Sequence, residues 1–283
     1  MISISNLAHL QPAQLISTFN QAFADYAVPV NLSSSFLKQK MQQENLRLDY
    51  STGAFDGKQL VGLMLHGIGE VKGQAAAYNG GTGVIPEYRG LRLVGQMYDF
   101  LKPRLAASGI RRVFLEVIDS NERAIRAYRQ VGFRKLREVD CFKGEMQHQE
   151  PAVGPGISVA VRSGLPWGLL PSFWNYEPTW QHSLAAARRG QEFMKYLAIE
   201  KAGQLLAYGI IIPGSGRIVQ YGVHPGHRGR GLGRLLFFHL AQLGNPRLTL
   251  LNVSHEDEES QDFLYGLGFE RYVGQYEMEW VVD

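Results

Sequence analysis

The sequence predicts two consecutive domains of mixed α/β type, and three observations support this prediction. The chain has 283 residues, which suits two domains of ordinary size that each bury a core. A strand-like segment, a loop with glycine and arginine, and a helical run occur twice in the same order, with Pro86 and Pro225 marking the repeat 139 positions apart. A single period near half the chain length indicates a duplicated domain rather than a solenoid.

In the first half, apolar spacing and turn residues predict alternating helices and strands. Leu15, Phe19 and Phe23 recur at helical spacing, and a serine pair suits the cap of a second helix. The Asp56-Gly57 turn between two apolar runs indicates a β-hairpin. The predicted elements are, in order, helices over Gln14–Tyr26 and Ser33–Gln43, the hairpin, a strand ending at Val84, a helix through about Ala107, a strand over Arg112–Ile118, a helix over Glu122–Gln130 and a terminal hairpin through Gly144.

The second half predicts the same order of elements. The turn at Gly203 matches the one at Gly57, and Gly268-Phe269 matches Gly132-Phe133. The predicted elements are strand Ile157–Val161, a helix near Thr179–Arg189, strands Phe193–Ile199 and Leu205–Ile212, a strand ending at Val223 before the loop and its helix, strand Leu248–Val253, helix Glu259–Leu267 and strand Tyr276–Val282. We therefore expect domains at 1–146 and 157–283, joined by the polar, proline- and glycine-containing linker 147–156.

The loop of the second half predicts a site for a phosphate-bearing ligand. An apolar run ending at Val223 is followed by residues 224–234, which are rich in glycine and arginine, and then by a helical run. Glycines allow close approach of the backbone, and the start of a helix presents amides and the positive end of its dipole. Neither common nucleotide pattern fits. The P-loop lysine is missing, and Arg234 stands where the dinucleotide pattern needs glycine.

The pattern that does match is Arg-x-x-Gly-x-Gly, filled by Arg228, Gly231 and Gly233. Together with the preceding Val-x-Pro and the later Leu267-Gly268-Phe269, it resembles the acetyl-CoA site of the GNAT superfamily of N-acetyltransferases. The alternative is a glycine-rich surface turn before an ordinary helix. Residues 84–94 of the first half carry a weaker copy of the pattern.

The resemblance implies two GNAT-type domains, each a splayed mixed β-sheet flanked by helices, with acetyl-CoA as co-substrate and no metal. In this family the strand before the loop holds the pantetheine arm, and the glycines at 80, 81 and 83 indicate a bulge or a close approach of the ligand there. The residues implied to bind acetyl-CoA are Val84, Ile85, Arg89, Gly90, Leu91, Arg92, Leu93, Val94 and Asn121 in the first half, and Val223, Arg228, Gly229, Arg230, Gly231, Leu232, Gly233 and Arg234 in the second.

The resemblance also implies a catalytic tyrosine, which stands in the first half alone. In GNAT proteins a tyrosine four residues before the glycine of the Gly-Phe pair donates to the departing CoA thiolate. Tyr128 has this position, whereas the second half has Leu264 there, and Tyr265 is about 100° further round the helix. A phenol with a pKa of about 10 can donate to a thiolate whose conjugate acid has a pKa of about 8.5. Glu116, on a predicted strand, is the candidate general base, with a structural contact as its alternative.

The two halves depart from the family pattern in complementary ways. The second keeps the full glycine loop but lacks the tyrosine, and the first has the tyrosine but carries Arg92 and Val94 where small residues are expected. Because backbone amides can still form a cradle with these side chains present, we favour the first half as the catalytic one. Catalysis in the second half is the alternative.

Composition narrows the possible partners. The net charge of +3 is too small to predict nucleic acid as a partner, no apolar run reaches the length of a membrane span, and a single cysteine, Cys141, suits a reducing cytoplasm. The leading hypothesis is a cytoplasmic N-acetyltransferase that acts on a primary amine of a small molecule or peptide. The alternatives are a non-catalytic acyl-CoA sensor or interaction module, and an aminoacyl-tRNA-dependent transferase of GNAT-like fold. The acceptor and the oligomeric state stay open.

Overall fold

The computed structural model describes residues 1–26, 28, 30–146 and 149–282. The chain divides into two compact units, the first made of Met1–Leu136 with Tyr276–Asp283 and the second of Arg137–Gln275. Each unit is a mixed β-sheet with helices, which confirms the predicted fold class and the duplication. The bounds of the units differ from the expected 1–146 and 157–283, and residues 147 and 148 of the expected linker lie outside the described residues.

The first unit has the predicted helices and strands, with small shifts at their ends. Proline suits the first position of a helix, so the first helix begins at Pro12 and ends at Ala22 rather than spanning Gln14–Tyr26. The Ser33 hydroxyl caps the second helix. The elements are, in chain order, β1 (Ile2–Asn6), α1 (Pro12–Ala22), α2 (Ser34–Glu44), β2 (Thr52–Asp56), β3 (Gln59–Val71), β4 (Gln74–Val84), α3 (Leu93–Ala107), β5 (Arg112–Ile118) and α4 (Glu122–Val131).

The second unit repeats the strands and the last two helices of the first. The elements after α4 are β6 (Arg134–Glu145), β7 (Ile157–Arg162), α5 (Leu184–Arg189), β8 (Lys195–Lys201), β9 (Gln204–Ile212), β10 (Arg217–Val223), α6 (Leu232–Gln242), β11 (Arg247–Ser254), α7 (Glu258–Gly266) and β12 (Glu270–Val281). The helix predicted near Thr179–Arg189 is shorter than expected, because Ser183 caps α5 and a separate 3-10 turn over Trp180–His182 precedes it.

Two long strands, β6 and β12, differ from the prediction. The predicted terminal hairpin through Gly144 is wrong, because residues 134–145 form one strand of 12 residues. No glycine, proline or asparagine interrupts this segment before Gly144, so the strand continues and pairs antiparallel with β11. Strand β12 begins at Glu270, before the predicted start at Tyr276, and its residues from Tyr276 onward belong to the first unit.

Two parallel strands in each unit separate before they end. Strand β4 pairs with β5 over Ala76–Tyr78, although β4 continues to Val84. Strand β10 pairs with β11 at Arg217 and Ile218, although β10 continues to Val223. This is the splay that the resemblance implies. It leaves the ends of β4 and β10 without a parallel neighbour in the described part of the chain, so their backbone groups can face a ligand.

A β-bulge precedes the separation at the same place in each repeat. The pairing of β4 with β3 skips Gly80, and the pairing of β10 with β9 skips Val219. A Cβ at residue 80 would collide with the buried carboxylate of Glu44 and press on Leu46, so any larger residue would force these side chains to move. The bulge predicted from the glycines of the first half is confirmed, and Val219 shows that the repeat bends at this position even without glycine.

The helices that follow the two loops are anchored in apolar cores. Helix α3 buries Met97, Leu101 and Leu105 in the first unit, and α6 buries Leu236 and Leu240 in the second. Burial of each such side chain contributes about 1.5–3 kcal/mol. The start of each helix, and the loop before it, is therefore held in a defined position.

A buried histidine on β3 makes the first unit sensitive to acid. His66 is 0 % exposed, and neither ring nitrogen has a hydrogen-bond partner among the described residues. Burial lowers the pKa of His66 from 6.5 to about 3. Between these values the unfolded chain binds a proton that the folded unit does not. The contribution of His66 to stability is therefore complete above pH 6.5 and is lost as the pH falls toward 3.

We expect His66→Leu to remove this part of the pH dependence. Between pH 7 and pH 5, protonation of the unfolded His66 should cost the parent about 2 kcal/mol of unfolding free energy, and the variant should not show this loss. Urea unfolding at both pH values, followed by circular dichroism, measures the difference. The exposed His9 provides the control, because His9→Gln should keep the pH slope of the parent. Equal slopes in the parent and His66→Leu would contradict the prediction.

Candidate functional site

The separated end of β4 forms one wall of a large cleft in the first unit. The cleft has a volume of about 1250 Å³, and the loop before α3, the inner face of α4 and the segment after α1 complete its walls. Ligand pockets commonly have about 300–1,000 Å³, so this cleft can take a large ligand together with a second, smaller one. The lining residues that matter below are Asp25, Tyr26, Thr82, Val84, Arg89, Arg92, Val94, Tyr98, Asn121, Ala127 and Tyr128.

The loop before α3 presents backbone amides to the cleft. Gly90, with φ of 84°, and Arg92, with φ of 55°, turn the chain before the helix starts at Leu93. The first amides of a helix have no acceptor within the helix and lie at the positive end of its dipole, so they suit a phosphate group. The left-handed conformation falls on Arg92 rather than on a glycine, at a cost of about 1 kcal/mol.

The side chain of Arg89 is bonded to three parts of its own unit. Nε donates to the carbonyl of Val84 at 3.1 Å, and Nη2 donates to the carbonyl of Ala22 at 3.0 Å. The guanidinium also binds the Asp25 carboxylate at 2.5 and 2.7 Å, and this hydrogen bond lowers the pKa of Asp25 to about 2. Arg89 therefore joins β4, α1 and the loop. Arg92, the other arginine of this loop, is exposed and lines the cleft, and its predicted contact with phosphate stays a prediction.

We expect Arg89→Ala to destabilise the first unit by about 2 kcal/mol. Two carbonyl groups lose a charged donor, and such hydrogen bonds contribute about 1.5–3 kcal/mol, whereas the exposed pair with Asp25 adds little. Arg126→Ala is the matched control, because Arg126 forms an exposed ion pair with Glu122 on α4. Urea unfolding of both variants measures the difference. Equal losses would show that Arg89 does not hold the loop.

Tyr128 and Asn121 lie on the cleft side of α4. The Asn121 side chain caps the helix and bonds the phenol of Tyr26. Tyr128 is 8 % exposed, and its ring packs against Phe133 with centroids 5.6 Å apart. Burial raises the pKa of Tyr128 to about 12, although a hydrogen bond from Thr82 opposes the shift. The phenol therefore keeps its proton at neutral pH and can act as a donor.

Glu116, the predicted general base, is not brought into the cleft. Its carboxylate accepts a hydrogen bond from the phenol of Tyr78 at 2.5 Å, and the described residues that line the cleft do not include it. A general base must reach the proton that it removes. The geometry therefore favours the structural contact, and the catalytic role of Glu116 stays a prediction.

The second unit has a smaller cavity at the equivalent place. Its volume is about 310 Å³, and most of the loop from Arg228 to Arg234 lines it. Gly229, with φ of 69°, and Gly231, with φ of 80°, turn the chain before α6 begins. The complete glycine pattern therefore forms the expected loop at the start of a helix. Arg230 lies in this loop outside the described lining of the cavity.

Arg228 repeats the contacts of Arg89. Nε donates to the carbonyl of Val223 at 3.2 Å, Nη2 donates to the carbonyl of Phe173 at 3.0 Å, and Nη1 binds the Glu259 carboxylate at 2.6 Å. In both units the arginine thus bonds the end of its strand, a second carbonyl and a carboxylate. The recurrence of this arginine is explained by the folding of the loop, and its predicted contact with phosphate stays a prediction.

Packing explains why the two loops differ in sequence. A Cβ on Gly233 would lie 2.8 Å from the ring of Phe263, so the second loop requires glycine at this position. By the repeat, Ala127 stands at the place of Phe263, and the smaller side chain leaves room for Val94 in the first unit. Val94 is therefore compatible with an open cleft.

The two cavities also differ at the positions that correspond to Thr82 and Tyr128. Tyr221 stands at the place of Thr82 and narrows the second cavity, in which its ring packs on Phe237 with centroids 5.1 Å apart. Leu264 stands at the place of Tyr128 and is fully buried. As expected from its helical position, Tyr265 is 49 % exposed and is not among the residues that line the cavity.

Sequence reasoning missed the polar residues behind Tyr128 and the cations beside the loop. Asn79, Thr82 and Tyr98 lie next to Tyr128, and Lys102 and Arg123 line the cleft. The sequence contains only a weak sign that these residues belong to the site, namely that Asn79 and Thr82 are polar residues within a predicted strand. Their approach to α3 and α4 depends on the tertiary fold.

In each unit two parallel strands separate beside a loop that presents backbone amides at the start of a helix. A family model described as acetyltransferase (GNAT) family matches residues 16–133 and 166–269. These segments make up more than half of the chain, and they coincide with the two repeats. The protein belongs to the acetyltransferase (GNAT) family.

Several solved structures resemble the whole chain, and one of them is a tandem GNAT protein. A tandem GNAT protein from the clavulanic acid biosynthesis pathway aligns with a TM-score of 0.73 at 14% identity, over 100% of this chain and 99% of its own. A GCN5-related N-acetyltransferase from Sphaerobacter thermophilus aligns with a TM-score of 0.72 at 15% identity, over 99% and 96%. A putative acetyltransferase from Pyrococcus horikoshii aligns with a TM-score of 0.65 at 15% identity, over 100% and 90%. At these identities the likeness shows the fold alone.

The family assignment carries a general chemistry. GNAT proteins bind acyl-CoA and take amine acceptors, which are small molecules or peptides, so membership supports an acyltransferase. A search of curated protein sequences finds no match. None of the helices in the described part of the chain is both long enough and apolar enough to span a membrane.

Proposed function

We propose that the protein is an acetyl-CoA-dependent N-acetyltransferase that moves an acetyl group directly to a primary amine of a small molecule or peptide. The catalytic site lies in the first unit. The observation that supports this proposal best is that the buried phenol of Tyr128 shares one cleft with the amides at the start of α3. The second unit has the loop but carries Leu264 in place of the tyrosine.

The loops of both units suit the pyrophosphate of CoA. In the first unit the amides that follow Arg92, together with its side chain, hold the phosphates. In the second unit the amides of 229–233 do so. A Cβ on Gly231 would make van der Waals contact with the carbonyl oxygen of Ala152 at 3.8 Å and with a methyl group of Val153 at 3.9 Å, so a β-branched side chain would fill the space beside these amides. Acetyl-CoA, when bound, supplies the acetyl group as a thioester.

The side chain of Tyr128 completes the proposed reaction. The lone pair of the neutral amine attacks the thioester carbonyl, the C–N bond forms, and the C–S bond breaks with its electron pair going to sulfur. Sulfur takes up the proton of Tyr128. The proton lost by the amine nitrogen returns through water to the phenolate, which restores the phenol. With a pKa of about 12, the phenolate is a strong enough base for this return.

A turnover screen tests the proposed function. Acetyl-CoA is incubated with polyamines, aminoglycosides, amino acids and peptides with free N-termini, and release of free CoA is followed with a thiol reagent. We expect at least one class of amine to accelerate release, and mass spectrometry should place the acetyl group on nitrogen. If acetyl-CoA binds but no amine accelerates CoA release, the proposal is overturned in favour of a sensor.

Non-catalytic binding of acyl-CoA is the second candidate function, and the second unit favours it. That unit keeps the full glycine loop, but Leu264 cannot donate a proton and aromatic side chains narrow the cavity to about 310 Å³. In this arrangement the first unit catalyses the reaction, and the second unit binds acyl-CoA as a sensor without catalysing a reaction. Calorimetric titration with CoA should then detect two binding sites in the parent, and Gly231→Val should weaken one of them while turnover in the first unit persists.

A further inference from the structure

A line of polar side chains leads from the core of the first unit to Tyr128. On β4, the side-chain nitrogen of Asn79 donates to the phenol oxygen of Tyr98 and to the hydroxyl oxygen of Thr82, both at 2.7 Å. The Thr82 hydroxyl lies beside the phenol of Tyr128 and opposes the rise of its pKa. Thr82, Tyr98 and Tyr128 all line the cleft, so the line ends where the proposed reaction takes place.

The amide of Asn79 has one orientation that fits its surroundings. Its oxygen accepts the backbone N–H of Gly81 at 3.0 Å, and a flipped amide would place an N–H group against that donor. Both amide hydrogens are therefore directed at Tyr98 and Thr82. Asn79 is 4 % exposed, so bulk water does not compete for these bonds.

The orientation of Asn79 leaves the hydroxyl proton of Thr82 available. The hydroxyl oxygen of Thr82 accepts from Asn79, and its own proton can be donated to the neighbouring phenol oxygen of Tyr128. A phenol oxygen that accepts a hydrogen bond keeps its own proton for a different acceptor. The acceptor side that remains for Tyr128 is the cleft.

We propose that Thr82 is a positioning residue for acyl transfer: held by Asn79, it donates to Tyr128 and so directs the Tyr128 proton at the leaving sulfur. This inference rests on the proposed function, in which Tyr128 is the proton donor. Thr82 has a second effect in the same step. Its hydrogen bond stabilises the phenolate that forms when the proton leaves, which opposes the effect of burial on the pKa of Tyr128.

The second unit changes both ends of the Thr82–Tyr128 hydrogen bond together. Tyr221 replaces the threonine and Leu264 replaces the tyrosine at the repeat-related positions. Where the tyrosine at the position of Tyr128 is absent, the threonine that would orient it is also absent. This paired difference is expected if Thr82 serves Tyr128, and it has no evident reason if Thr82 is a general part of the strand.

Two substitutions at Thr82 test the proposal. Thr82→Val removes the hydroxyl with little change of shape, and we expect kcat to fall about tenfold, the rate equivalent of about one hydrogen bond, with the KM for acetyl-CoA unchanged. Thr82→Ser keeps the hydroxyl and should stay within about twofold of the parent. CoA release is measured with the fastest amine of the screen and with water alone as acceptor. Equal losses in both variants, or a change confined to KM, would overturn the positioning role.

The Tyr128→Phe background separates this inference from the proposed function. In that background Thr82→Val should have no further effect, because no phenol remains to be oriented. If Tyr128→Phe lowers kcat but Thr82→Val does not, or if Thr82→Val acts equally in both backgrounds, the role of Thr82 is overturned and the proposed function stands. If Tyr128→Phe leaves kcat unchanged, Tyr128 is not the proton donor, and the role of Thr82 fails with it; the N-acetyltransferase function itself fails only if no amine accelerates CoA release in the screen.

Discussion

Tyr128→Phe should lower kcat about 10²-fold and leave the KM for acetyl-CoA close to that of the parent. The substitution removes the donor to the departing sulfur, and the loss is at the lower end of the contribution of general acids. The phenyl ring keeps its packing against Phe133, so the unit should remain folded. An interaction made only in the transition state affects kcat and not binding, which is why the two constants should separate. Steady-state CoA release with one accepted amine measures both.

Tyr265→Phe is the matched control for this experiment. Tyr265 lies in the second unit on α7, is 49 % exposed and packs edge-on against Phe142. Loss of its hydroxyl should leave both constants unchanged. If Tyr265→Phe lowered kcat and Tyr128→Phe did not, catalysis would be assigned to the second unit. Parent-like rates in both would contradict the catalytic role of a tyrosine.

Gly231→Val should weaken CoA binding at the second loop at least tenfold, which corresponds to about 1.4 kcal/mol. Residue 231 has φ of 80°, and its Cβ would enter the space beside the amides at the start of α6. A valine there places two methyl groups where the pyrophosphate is proposed to lie. Calorimetric titration with CoA measures the affinity, and the first unit should titrate as in the parent.

Gly203→Val separates the loss of binding from the strain of the backbone. Gly203 also has φ of 80° and open space around its Cβ, but it lies in the turn between β8 and β9, away from the cavity lining. Both variants should lose similar stability, because valine is equally unsuited to this backbone conformation. CoA affinity should fall in Gly231→Val alone. An unchanged CoA titration in Gly231→Val would show that the second loop does not hold the pyrophosphate.

Features that depend on neighbours in the chain were predictable. The glycine loops, the strands before them and the helices after them rest on local turn chemistry and apolar spacing, so their order and most of their ends agree with the prediction. The glycine-rich end of β4 predicted a bulge, and the structure has it at Gly80. Tyr128 was predicted on the helix after β5 from its spacing to Gly132, and it lies in the cleft of the first unit.

Features that depend on distant side chains were not predictable. The sequence predicted Arg89 and Arg228 as phosphate-binding residues, which stays a prediction, and it gave no sign that both also bond carbonyls and carboxylates of their own units. Val94 looked like an obstacle because the small Ala127 stands 33 positions away in the chain. Glu116 was proposed as a base because no sequence signal pairs it with Tyr78.

The sequence by itself determined that this protein is a duplicated GNAT-type chain with two loops at helix starts and one well-placed tyrosine. These properties follow from local backbone chemistry and from a repeat that can be recognised in the amino-acid sequence. The tertiary structure alone decided which cavity is large, which arginines are engaged and which polar side chains lie beside Tyr128. Those outcomes depend on volume and on contacts of groups such as Thr82 and Phe263, which only the folded chain brings next to their partners.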